Sequence, residues 1–166
     1  MLLFRTVFEW VDTFESSIAI RESLYVYPYL LVAHVVGMCL FVGTVAMMDL
    51  RLAGWGNNSS PLSQVQAKLF PWQVLGLVLS GITGMVLLYG QPMRYYGNIF
   101  FWVKMVMMAL AAVNAMIFHR TAYRSIAAWD TDARPPLGAR VAGASSLFLW
   151  GAVIICGRLI AYNWFE

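Results

Sequence analysis

The chain has 166 residues, of which 61% are hydrophobic and only 11% are charged, and its mean hydropathy is +0.69. Because so few charges cannot cover the surface of a soluble domain, this composition predicts a protein that lies in a lipid bilayer. The net charge of +3 comes from scattered basic residues and not from a basic stripe on one face, which argues against nucleic-acid binding.

Residues 1–24 form a first segment that is amphipathic and not continuously apolar. Acidic residues at Glu9, Asp12 and Glu15 interrupt it, and no small-residue cleavage pattern follows, so a cleaved signal peptide is not predicted. The spacing predicts a helix that lies in the plane of the membrane interface, followed by a short piece over 17–24 that leads into the first span. The apolar residues that recur at helical spacing are Leu3, Phe4, Val7, Phe8, Val11, Phe14 and Ile18.

Residues 25–166 contain four apolar stretches, at about 27–49, 70–90, 99–119 and 142–163. Each has about the 20 residues that a helix needs to cross a hydrocarbon core of about 30 Å. Pro71 is predicted at the first turn of the second span, where a missing backbone N–H costs little. Gly76, Ser80 and Gly84 form a row of small residues that predicts close helix packing. The predicted fold is therefore an all-α integral membrane four-helix bundle.

The distribution of basic residues predicts how the bundle is oriented. The two loops on one side carry six basic residues, and the opposite side carries three outside the spans. By the positive-inside rule, both termini are expected outside the cytoplasm, which for a bacterial inner membrane is the periplasmic side. A belt of aromatic residues is expected at that same interface: Tyr25, Tyr27, Tyr29, Tyr95, Tyr96, Tyr162 and Trp164.

Three basic or titratable residues fall at a similar predicted depth in three different spans. With a rise of about 1.5 Å per residue, His34 lies roughly 10 Å below the outer surface, and Lys104 and Arg158 roughly 8 Å below it. A polar group inside a span is costly, so by default it marks a site. A purely structural alternative for His34 is that it forms an interhelical hydrogen bond. Lys104 and Arg158 have stems long enough to reach the lipid headgroups instead.

The spans contain no Asp or Glu in their interior, and Asp49 lies at the inner end of the first. Two cations without an acidic partner favour an anion from elsewhere, either Glu22 at the interface, a lipid phosphate or a ligand that carries carboxylates. Haem b fits the last case, because a histidine such as His34 can hold its iron while cations pair with its propionates. Lys104, Arg158, Arg21 and Arg94 are the candidate cations.

His119 closes the third span, roughly 20 Å from the level of His34 by the same helical rise. That separation is too large for both histidines to bind one iron. His119 is interpreted as an interfacial residue or as the ligand of a second, inner site, whose neighbours would include Met47, Met48 and Trp72.

The sulfur-containing side chains are also compatible with the hypothesis that the protein binds copper. Met38 is expected one turn below His34 on the same helix face, and thioethers suit Cu(I). Methionine is also a common filler of apolar spans. Cys39 and Cys156 lack a CxxC or Cys-His spacing, so they are interpreted as small buried hydrophobic residues.

Two motifs resemble a known class of membrane protein. AHVVGMCLFVG in the first span and FWVKMVMM in the third resemble the HemJ-type protoporphyrinogen oxidases, and the layout is similar to the membrane domain of CopD-type copper-resistance proteins. The HemJ resemblance implies that His34 is a haem b ligand and that Lys104 is its functional partner. The whole pattern, from IRESLYVYPYLLVAHVVG through FPWQ and NAMIFHR to GRLIAY, also resembles an uncharacterised bacterial family of small four-span proteins.

These observations predict a membrane b-type haem protein with a redox role, either electron transfer or porphyrinogen oxidation, at the periplasmic side. The alternative is a CopD-like copper transport or resistance protein that uses Met38 and His34. A third reading is a membrane anchor for a partner subunit. The expected partners are the lipid bilayer and either a second copy of the chain or a periplasmic redox protein.

Overall fold

The computed structural model describes residues 2–55, 60–132 and 134–162, and within these ranges the chain forms helices joined by turns and short connections. Trp164 of the predicted aromatic belt, and the predicted end of the fourth span at residue 163, lie outside the described residues. The helices are α1 (Leu2–Asp12), α2 (Glu15–Glu22), α3 (Val26–Ala53), α4 (Leu62–Gly90), α5 (Pro92–Tyr96), α6 (Ile99–Arg120) and α7 (Leu137–Leu159), with a 3₁₀ helix at Ala122–Ala128.

Within the described residues, α3, α4, α6 and α7 are long and apolar enough to cross a membrane. Each of these helices leaves large apolar side chains exposed, for example Val32, Ile82, Val106 and Ile155. Such an outward apolar surface is stable in lipid and not in water. The prediction of an all-helical, multi-pass membrane bundle is confirmed.

The helix boundaries correct the predicted spans in two places. α4 begins at Leu62, eight residues before the predicted start, and Pro71 therefore lies inside the helix and not in its first turn. α7 begins directly after Pro136 and ends at Leu159, so its start precedes the predicted one by five residues. Hydropathy detects the apolar part of a helix, whereas both of these helices begin with a more polar turn.

An aspartate from a distant part of the chain caps the first turn of α4. The Ser63 backbone N–H and the Ser63 hydroxyl donate to the Asp130 carboxylate over 2.7 and 2.6 Å, and the Leu62 N–H donates to the Asp130 carbonyl. These contacts satisfy N–H groups that no helical carbonyl can reach. The hydrogen bonds from Ser63 lower the pKa of Asp130 below its ordinary value of 3.8.

Asp130→Ala is expected to destabilise the protein by about 1 kcal/mol at neutral pH, because helix N-terminal donors lose their acceptor. Since the native pKa of Asp130 lies below the unfolded value, its contribution is present above that value and is lost as pH falls through the native pKa. Thermal unfolding in detergent between about pH 7 and pH 3 tests this, because wild type and variant should converge only at the acidic end. Exposed Asp132→Ala is the control, and an equal loss in both variants would contradict the capping role.

The four long helices do not close into a ring. α4 packs on α3, α3 on α7, and α7 on α6, whereas α4 and α6 make at most marginal contact with each other. The α3–α4 contact is the closest, because a Cβ added at Gly76 would lie 2.6 Å from the Phe41 backbone nitrogen, and one at Gly37 would lie 2.8 Å from the Ser80 nitrogen. The predicted row of small residues in α4 therefore packs along α3, and a cleft remains between α4 and α6.

The N-terminal segment forms two short helices that pack at one end of the bundle. The Ser17 hydroxyl donates to the Tyr89 carbonyl over 2.7 Å, and the Ile20 side chain lies against Gly90, so α2 is held on the end of α4. Phe8 of α1 contacts the ring of Tyr96 in α5. The segment is thus attached to the bundle at the end where α3 and α6 begin, which is called the His34 end below. The opposite end is called the Asp49 end.

Candidate functional site

A cavity of about 390 Å³ opens into the cleft at the His34 end. That volume lies within the range of small-molecule and cofactor sites, which is about 300–1,000 Å³. All four long helices and α5 contribute to its wall. The wall is largely apolar, and its polar or titratable members are Tyr27, His34, Ser80, Arg94, Tyr95 and Lys104.

The orientation of His34 is set by the backbone of the neighbouring helix. His34 Nδ1 lies 2.9 Å from the Ser80 carbonyl oxygen and 3.2 Å from the Thr83 hydroxyl. Because a carbonyl only accepts, Nδ1 carries the proton and donates it, and Nε2 of the neutral ring keeps its lone pair. Metal-binding histidines are typically held in this way, by a carbonyl on the ring nitrogen that does not bind the metal.

Gly84 provides the space in which the imidazole lies. A Cβ at this position would lie 2.9 Å from His34 Cε1 and 3.3 Å from Nδ1, so a larger residue would displace the ring. The row of small residues in α4 therefore has a second role besides helix packing. Sequence reasoning assigned Gly84 to packing alone, and its spacing of four residues from Ser80 was the signal that both face α3.

Lys104 of α6 lines the same cavity from the opposite wall. A Cβ at Gly157 of α7 would lie 3.6 Å from Lys104 Nζ, so the stem of the lysine packs across a glycine. Arg94 of α5 also lines the cavity, where it donates to Gln91 Oε1 over 2.9 Å. Among the described residues that line the cavity there is no Asp or Glu, so its two cations face no acidic side chain there.

Tyr27 and Tyr95 lie in the wall of the cavity beside Arg94, and the two phenols are hydrogen-bonded to each other. Burial, with the contact to Tyr27, raises the pKa of the Tyr95 phenol above its usual value. The phenol therefore stays protonated at neutral pH and can donate a hydrogen bond. Sequence analysis placed both tyrosines in an interfacial belt and gave them no part in the site.

Arg158 and Arg21, the other predicted cations, have partners away from the cavity. Arg158 is exposed, and it donates to the Tyr162 hydroxyl over 2.8 Å with its guanidinium 5.0 Å from that ring. Arg21 forms an ion pair with Asp12 at 2.7 Å. The structure therefore brings His34, Lys104 and Arg94 together and places Arg158 and Arg21 elsewhere.

The sulfur atoms around the cavity differ from those singled out in the sequence. Met38 is not among the residues that line it, whereas Met85, Met105 and Met108 are. The prediction that both cysteines are buried is wrong for one of them, because Cys39 is exposed and only Cys156 is buried. Within the described residues, no group of three or more His, Cys, Asp and Glu side chains is placed to hold a metal ion.

His119 lies near the Asp49 end, on a separate cavity of about 410 Å³. Its exposed ring contacts Phe118 and Tyr123. Of the neighbours expected there, Met48 lines that cavity, whereas Met47 and Trp72 are 61% and 53% exposed and point away from the interior.

Comparison with known proteins gives a family but no activity. Residues 7–163 match the model of a family of unknown function, DUF6644. No curated protein and no solved structure matches the chain. Because the match covers nearly all of the four-helix bundle and the segment before it, the chain belongs to this family of unknown function.

Proposed function

We propose that the protein binds haem b in the cavity at the His34 end and has a redox role in the membrane. The single observation that carries this proposal is the hydrogen bond from His34 Nδ1 to the Ser80 carbonyl, which leaves the lone pair on Nε2 of a residue that lines a largely apolar cavity. Imidazole with this second contact is the commonest protein ligand of haem iron. The HemJ resemblance of the sequence around His34 and Lys104 supports the same proposal.

The charges around the cavity fit the two propionates of haem. Lys104 and Arg94 line the cavity without an acidic residue there, and an anionic ligand would offset the cost of these cations. In this proposal Arg94 and the protonated Tyr95 bind the propionates at the rim. Lys104 would either contact a propionate or be a second ligand of the iron. When bound, haem supplies one-electron exchange at its iron, and the protein residues hold it, orient it and set its charge balance.

The position of the cavity also fits a lipophilic ligand. It opens between α4 and α6, where Met85 and Met105 are 73% and 45% exposed. A hydrophobic macrocycle can therefore enter sideways from the bilayer, without crossing a water-filled channel. The proposed redox role is electron transfer or HemJ-like porphyrinogen oxidation, because both use the same cavity. By the positive-inside argument, the cavity faces the periplasmic side of a bacterial inner membrane.

A CopD-like role in copper transport or resistance is the second candidate, and a specific observation favours it. Met85, Met105 and Met108 line the cavity together with His34, so three thioethers and one imidazole are available to Cu(I). Two of these thioethers are largely exposed toward lipid, and Lys104 and Arg94 would repel a cation. These features place copper second.

The pigment of the purified protein tests the proposal. Full-length protein, expressed with an ample haem supply and purified in mild detergent, is expected to show Soret and α bands in a reduced-minus-oxidised spectrum, with about one haem per chain. Metal analysis of the same sample is expected to show iron in the same ratio and no stoichiometric copper. Colourless protein that carries one copper per chain would contradict the haem proposal and support the copper proposal. Protein that carries neither haem nor copper would contradict both.

A further inference from the structure

The cavity at the Asp49 end is lined by all four long helices. Phe41 and Trp150, packed edge to face with ring centroids 4.8 Å apart, line it toward the middle of the bundle. Met48, Leu52 and Phe118, which belong to a buried hydrophobic cluster, line it toward the end. Within these apolar limits the cavity is lined by a group of polar or titratable residues, which are Asp49, Gln66, Gln73, Asn114, His119 and Ser146.

Asp49 is the buried acid of this cavity. Asp49 is only 6% exposed, and its Oδ2 atom has no hydrogen-bond partner. Ser146 of α7 lines the same cavity. The two ion pairs in the described part of the chain, Arg5–Glu9 and Arg21–Asp12, do not involve Asp49.

Arg51, the cation nearest to Asp49 in sequence, donates instead to the Ser60 carbonyl over 3.2 Å and does not line the cavity. Among the described residues that line the cavity there is no Lys or Arg, and His119 is the one basic side chain, but it forms no ion pair with Asp49. A carboxylate in a membrane protein that lacks a cationic partner is costly unless a cation or a proton compensates it.

The amide side chains of the cavity add further acceptor oxygens. The Asn114 amide nitrogen donates to the Ala142 carbonyl over 2.9 Å, and that of Gln73 donates to the Thr44 carbonyl over 3.4 Å. Because carbonyls only accept, these contacts fix which end of each amide is nitrogen, and the side-chain oxygens remain for a ligand. Gln66 Oε1 is buried and has no partner. The cavity is thus lined by one carboxylate and three amide side chains, together with the Ser146 hydroxyl.

We infer that this cavity binds a monovalent hard cation, of which Na⁺ is the representative, with Asp49 as its charged ligand. Carboxylate and amide oxygens are the ligands that hard cations prefer, whereas soft metals prefer thiolate and imidazole. A single carboxylate neutralises one positive charge, which favours a monovalent ion over a divalent one. Such a site is distinct from the proposed haem site in ligand chemistry and in its place along the bundle.

Thermal unfolding of the full-length protein in detergent, at constant ionic strength and pH, tests this inference. Replacing choline chloride with NaCl is expected to raise Tm in a saturable manner, because an ion that binds only the folded state stabilises it. Asp49→Asn is expected to abolish the Na⁺ dependence, whereas Asp130→Asn, outside the cavity, keeps it. LiCl and KCl series rank the ions by size.

A second variant covers the case in which Asp49→Asn does not fold. Gln66→Met keeps the length of the side chain and removes its oxygen, so the Na⁺ concentration for half-maximal stabilisation should rise by up to about tenfold. A Tm that depends on pH but is the same in Na⁺, Li⁺, K⁺ and choline would overturn the inference in favour of a protonated Asp49. Na⁺ stabilisation that persists in Asp49→Asn would overturn it as well. None of these outcomes depends on whether the purified protein contains haem.

Discussion

His34→Ala is expected to abolish haem binding, and His119→Ala is expected to leave it unchanged. The first substitution removes the imidazole whose Nδ1 donates to the Ser80 carbonyl and which lines the cavity. Without that imidazole the proposed haem would lose its histidine ligand, and the contacts from Lys104 and Arg94 would not hold it alone. The second substitution removes an exposed ring that lies on the other cavity.

The two variants are compared by their ratio of haem to protein chain, measured on samples of equal purity that elute at the same volume in size-exclusion chromatography. Helicity by circular dichroism shows whether His34→Ala still folds. Added imidazole should partly restore the haem spectrum in His34→Ala, because a free ligand can occupy the space of the deleted ring. Full haem occupancy in His34→Ala, or a loss of haem only in His119→Ala, would show that His34 is not the axial ligand.

Gly84→Val is expected to weaken haem binding by about 10- to 100-fold although no proposed ligand residue is replaced, a loss typical of changes to the groups that orient a metal ligand. The new Cβ would lie 2.9 Å from His34 Cε1, so the ring must leave its contact with the Ser80 carbonyl. The effect acts through the position of the imidazole and not through its chemistry.

Gly43→Val on α3 is the matched control for this change, since a Cβ at Gly43 meets nothing within 4 Å and the residue lines neither cavity. Haem titration into the purified proteins measures the affinity, and the position and width of the Soret band report a displaced ligand. Equal affinities for Gly84→Val and Gly43→Val would contradict a positioning role for Gly84.

The sequence was enough to predict the four helices and a similar depth for His34 and Lys104, and in the structure both residues line one cavity. Apolar length and helical rise are local properties, and they fix the depth of a residue without any tertiary information. They do not fix which way a residue faces around its helix. Successive residues of a helix point about 100° apart. In α7, Gly157 faces Lys104, and Arg158 is therefore turned outward to Tyr162.

The polar cavity at the Asp49 end was missed because two helices extend beyond their apolar stretches. Asp49 was read as the last residue of its span, but α3 continues to Ala53 and buries it. Gln66 precedes the predicted start of the second span and lies inside α4. Hydropathy averages over windows and gives low weight to polar residues near helix ends. Their burial depends on which helices pack around them, which a single sequence does not reveal.

The open side of the bundle gives a ligand a mechanical role. α4 packs on α3 and α6 on α7, and the main direct contact between these two pairs is the one between α3 and α7, with α5 contacting both α4 and α6. The cavity at the His34 end is lined by all four long helices. A molecule bound there would therefore contact both helix pairs and restrict their motion relative to each other. The separation of α4 and α6, followed by a pair of spin labels on their outer faces, should therefore narrow in distribution when the cavity is filled. The width of this distance distribution would then report how much of the protein has ligand bound.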